Sequence, residues 1–163
     1  MLHSIKTTTL FSLMLFILGW AQPLQAFESE DELKVAIIGK LAKFVSGNQL
    51  KDQFFTIALL NNPFGEWPDK ILQQKKIRKH AVKVTYIKSL NELHGAQILF
   101  IPNLRLESIQ KIIQSTHGKN ILTISDSRGF AESGGMIQMH KVAQKIKLKI
   151  NLKFSTMYLG IGK

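Results

Sequence analysis

Ser125 and Asp126 stand side by side, and five histidines are scattered through the 163 residues, so nucleophilic hydrolysis is the first chemistry to weigh. A hydroxyl nucleophile needs a histidine base within hydrogen-bond reach and a third group to orient that base. No histidine stands at a defined spacing from Ser125, and no G-x-S-x-G elbow is present. A turn or N-cap role suits Ser125 and Asp126 better. His80, His94, His117 and His140 are isolated, with no H-x-x-x-H or E-x-x-H pair, so no metal site is expected. The absence of cysteine excludes thiol catalysis and cysteine-ligated metal. Asn61 to Gly65 lies where phosphate loops lie, but a single glycine does not make a nucleotide cradle. These patterns identify no catalytic centre, and no cofactor is expected.

The other chemical feature is basic. Lys145, Lys147 and Lys149 alternate with Ile146, Leu148 and Ile150, and Lys141 and Lys153 keep the same parity. On a strand this spacing separates one basic face from one apolar face. Solvation and protection of an edge strand account for it, and an anionic docking face is the alternative.

These residues must be positioned by elements legible in the pattern. Asn120 to Gly135, NILTISDSRGFAESGG, opens as a buried strand, breaks at Ser125-Asp126-Ser127 and ends in a Gly134-Gly135 pair. Open α/β sheets place binding crevices at such strand ends. Upstream, Leu33, Ile37, Leu41 and Phe44 recur at helical spacing behind the acidic Glu28 to Glu32, with a stop at Ser46-Gly47-Asn48. Phe54 to Leu60 and Ile98 to Ile101 read as buried strands, and Val82 to Ile87 as a half-exposed one. A helix is expected from the Asn61–Gly65 turn to about Lys76, with Gln73 to His80 as its solvated end and a loop. Leu106, Ile109, Ile112 and Ile113 mark another helix, about three turns long, before Gly118. Met136 to Val142 and Lys145 to Leu152 form an antiparallel hairpin. The expectation is a single α/β domain: a mostly parallel open sheet, helices on both faces and that C-terminal hairpin at the edge.

Residues 1–26 have the layout of a secretory signal peptide, with a mildly basic start, an apolar Leu10 to Leu18 and cleavage near Ala26. The domain is then 27–163. The leader holds one lysine and no acidic residue, leaving 21 basic residues against 11 acidic ones. For an exported protein no nucleic-acid partner is expected. A weak contact with an anionic envelope surface, or an acidic protein face, suits this charge.

Several segments resemble one family in order. They are LKVAIIGKLAKFV (residues 33–45), NPFG (62–65), ILFIPN (98–103), LTISDSRGFAESGGMIQM (122–139) and KIKLKIN (145–151). The chain resembles the YfiR/HmsC-type periplasmic repressors of inner-membrane diguanylate cyclases. It lacks the family's cysteines, has Gln97 near one expected cysteine position and carries Lys149 in place of an acidic residue. Phe154 to Ile161 gives a shortened form of the family's last helix. The resemblance implies a non-catalytic, homodimeric regulator that binds a cyclase's periplasmic sensor domain, represses it and lowers cyclic-di-GMP and biofilm formation. Ser125, Asp126, Phe130, Gly134 and Gly135, with Phe44 and Phe64 nearby, are the expected contact residues. A periplasmic small-ligand-binding module is the alternative reading.

Overall fold

A computed structural model describes residues 27–45 and 53–153. The expected signal peptide, the expected Ser46–Asn48 stop and Phe154 to Ile161 lie outside these residues. The described chain runs α1 (Glu30–Ala42), β1 (Phe54–Leu60), α2 (Trp67–Ile71), β2 (Lys76–Ile77), β3 (His80–Ile87), a 3-10 turn (Leu90–Glu92), β4 (Ala96–Ile101), α3 (Leu106–Thr116), β5 (Leu122–Ser125), β6 (Ile137–Val142) and β7 (Lys145–Ile150). The sheet order is β2-β3-β1-β4-β5-β6-β7. The five inner strands are parallel, and short antiparallel partners close both ends. The expected architecture is therefore the observed one.

β1 and β4 are central because, apart from Thr56 and Gln97, their residues are apolar on both sides; all but Phe54 are buried. On one face, Val35, Ile38 and Ala42 of α1, with Leu72 after α2, cover Phe55, Ile57, Phe100, Ile124 and Met139. On the other, Ile109 and Ile112 of α3 pack with Phe130 on Ala58, Leu99 and Ile101.

β4 joins β1 through a bulge. Thr56 pairs with Ala96 and Ile57 with Ile98, which leaves Gln97 as the extra residue. Its buried amide fills the gap, accepting the Thr56 N–H at 2.6 Å and donating to the Gly95 carbonyl at 2.8 Å. The residue near an expected cysteine position is thus a plug for the ladder.

Three local expectations are corrected. The buried stripe of α1 is Val35, Ile38, Leu41, Ala42 and, past the helix end, Val45; of the expected residues Leu41 is buried, Leu33 and Ile37 are half-buried, and Phe44 is 56% exposed. A helix that is apolar around most of its circumference does not announce its inward face. The helix after Gly65 ends at Ile71, well short of Lys76, because Lys76 and Ile77 pair with Ala81 and His80. The two-residue turn of that hairpin holds Arg78 and Lys79 at φ 48° and 75°, a conformation usually given to glycine or asparagine. Finally, Lys141 does not share the lysine face. It lies across from Ile146, whereas Lys145, Lys147 and Lys149 face Val142, His140 and Gln138. Parity along the chain is lost at the hairpin turn, where Ala143 adopts φ 53°.

Candidate functional site

β5 and β6 pair only at Ile124–Ile137 and Ser125–Gln138. β6 continues to Val142 after β5 has stopped, so its second half overhangs the carboxyl end of the parallel strands. The first turns of α1 lie beside this step. Between them opens a cleft of about 560 Å³, lined chiefly by Glu30 and Lys34 of α1, Asp126, Arg128 and Glu132 of the β5–β6 connection, and His140 of β6.

The cleft is held by a chain of charges. Lys34 Nζ donates to Asp126 Oδ2 at 2.7 Å and meets Glu30 Oε1 at 3.0 Å, while Glu30 Oε2 accepts from Lys141 at 2.8 Å. The Lys34 side chain is only 12% exposed and that of Asp126 21%. Burial of Lys34 disfavours its charge, but the hydrogen bonds it donates to Asp126 and Glu30 outweigh this and raise its pKa above the ordinary 10.5. Hydrogen bonds from Lys141 and Lys34 hold the Glu30 carboxyl below its ordinary 4.5. At the rim, Lys149 pairs with Glu132 at 2.5 Å. Asp126 Oδ1 and His140 Nδ1 are buried with no hydrogen-bond partner among the described residues. Such atoms in a cleft can meet a ligand bearing both donors and acceptors.

The residues expected to form the site divide. Asp126 is at the cleft and is held by Lys34. Ser125 is fully buried. Its oxygen accepts the Ser127 N–H at 3.0 Å and its hydroxyl donates to Ser127 Oγ at 2.9 Å, while the Ser127 hydroxyl donates to the Pro102 carbonyl at 3.2 Å. This is the turn role, and it leaves no exposed nucleophile there. Phe130 is fully buried on the α3 face. Gly134 sits at φ 103°, and a Cβ on Gly135 would fall 2.2 Å from the Phe130 ring. The glycine pair thus lets the chain close over Phe130 and does not line the cleft. Phe64 is 3% exposed and packs against Phe100 with the rings tilted by 52° at a centroid distance of 4.6 Å. Phe44 lies past the far end of α1 from Glu30, roughly 20 Å away at helical rise, so it is not a neighbour of this cleft.

Sequence reasoning missed Glu30, Lys34, Arg128, Glu132 and His140. A signal existed for Lys34, which is four residues before Ile38 and so falls on the buried stripe once that stripe is correctly placed. Among the described residues, no group of three or more His, Cys, Asp or Glu side chains could hold a metal ion.

The YfiR/HmsC-like family profile matches residues 31–156. The chain belongs to the YfiR/HmsC-like family. A search of curated proteins returned no match. YfiR/HmsC-like membership suggests a periplasmic regulator of diguanylate cyclase. No helix of the described residues is long and apolar enough to cross a membrane.

Proposed function

We propose that this protein is a non-catalytic periplasmic regulator, exported by its N-terminal segment, that binds the sensor domain of an inner-membrane diguanylate cyclase and represses it. Lower cyclic-di-GMP and less biofilm matrix follow. The observation that supports this reading is the family match across most of the chain. Repression is a population shift: binding favours the sensor conformation in which the cyclase is off, by its difference in affinity between two states. Asp126 and the exposed Phe44 remain candidates for contact, and a homodimer is the expected assembly. Deletion of the gene should raise cellular cyclic-di-GMP and matrix production, and re-expression should restore them. An unchanged level in the deletion strain removes the repressor role.

The cleft supports a second reading, a small-ligand module, because Asp126 Oδ1 and His140 Nδ1 are unpaired there. The two are compatible if the ligand alters repression. Calorimetry against a panel of small zwitterions and anions, with Asp126→Asn as the control, decides it.

A further inference from the structure

β7 ends the sheet, and among the described residues no strand lies on its outer side. The Asn151 N–H bonds inward to the Met136 carbonyl at 2.8 Å. In an antiparallel ladder the bonding direction alternates along the strand. Counting back, Lys149, Lys147 and Lys145 bond inward to β6, and Ile150, Leu148 and Ile146 turn their N–H and carbonyl groups outward. The side chains of these outward residues form the apolar face of β7, on which Leu148 and Ile150 are each 37% exposed. Beside Ile146 runs a groove of about 310 Å³, whose apolar walls are Phe27, Leu33 and Ile146. Lys145 and Lys147 stand exposed on the opposite face.

We propose that β7 is a strand-addition site for an extended segment of another protein in which acidic and apolar residues alternate. The segment pairs with the outward groups of Ile146, Leu148 and Ile150. Its apolar side chains extend the α1-side face, one of them seated in the Phe27–Leu33 groove, and its carboxylates lie beside Lys145 and Lys147. Charge selects this occupant over a second copy. Pairing two β7 strands through the same outward residues sets Lys147 directly against Lys149 twice, and like charges so placed repel. Even with Lys149 partly neutralised by Glu132, the lysines disfavour self-pairing and favour an acidic strand. This site deepens the regulatory reading above by stating the chemistry of the partner it docks.

The probe is a nine-residue peptide alternating glutamate with isoleucine or valine, against a counterpart with lysine at each glutamate. Residue-resolved hydrogen exchange should show the amides of Ile146, Leu148 and Ile150 exchanging quickly in the free protein and becoming protected by the glutamate peptide alone. Lys145→Glu combined with Lys147→Glu should weaken that peptide about tenfold and favour its lysine counterpart. Leu148→Pro, which removes an outward N–H, should abolish binding; thermal unfolding checks that the variant folds. Outward amides already protected in the free protein would overturn the proposal, whether by this chain's own residues in a monomer or by a second copy in a dimer. So would a peptide that protects residues around Asp126, or none. If deletion raises cyclic-di-GMP but the charge-reversed protein complements fully, the docking site is wrong while the repressor role stands.

Discussion

Lys34 is the residue that ties the cleft together, because its ammonium joins α1 to the turn after β5 from a position with little access to water. The pKa directions make the network pH-sensitive in a defined sense. Glu30 is depressed on folding, so its stabilisation is complete above about pH 4.5 and lost as pH falls through its lower folded value. Lys34 is raised, so its share is present below about pH 10.5 and lost only as pH climbs past its folded value. Urea unfolding from pH 3 to 7 should therefore show stability falling at the acid end. Glu30→Gln should be less stable at neutrality by no more than about 1 kcal/mol, given its exposure, and should show a flatter acid limb. An unchanged limb would mean that the network contributes nothing. Gly135→Ala tests the other half of the segment. Its methyl would meet a fully buried ring, so about 1–3 kcal/mol should be lost in the same assay. A neutral result would show that the glycine pair is kept for something other than Phe130.

At the scale of elements, the sheet was largely legible, since β1, β4 and β5 are short apolar runs and α3 has one apolar side at helical spacing. The rest was obscured for particular reasons. Nothing about Arg78 and Lys79 suggests a tight hairpin, so β2 was hidden in a basic stretch. The α1 stripe was displaced because Leu33, Ile37 and Phe44 compete with Val35, Ile38 and Ala42 for the same inference. Placing the stripe wrongly also hid Lys34, and with it the wall of the cleft. The glycine pair was visible, but its reason, Phe130, is a tertiary contact beyond any local pattern. Gln97 shows the same limit, since its value depends on a bulge seen only when β1 and β4 are aligned. Gln97→Leu should leave the Thr56 N–H buried without a partner and lower the unfolding free energy by about 1–3 kcal/mol. A hydrophobic residue accepted there at no cost would contradict the plug.

Among its described residues, this α/β body of the YfiR/HmsC-like family presents three distinct surfaces. These are a charged cleft at the carboxyl ends of the parallel strands, a basic edge strand, and the exposed aromatic after α1. On the proposed reading, contact with a membrane cyclase turns it off. The direct measurement adds the purified mature protein to membranes of its native host and follows cyclic-di-GMP formation from GTP. The rate should fall saturably as protein is added, with no turnover by the protein alone. A rate that stays level at saturating protein, or a reaction performed by the protein itself, would contradict it.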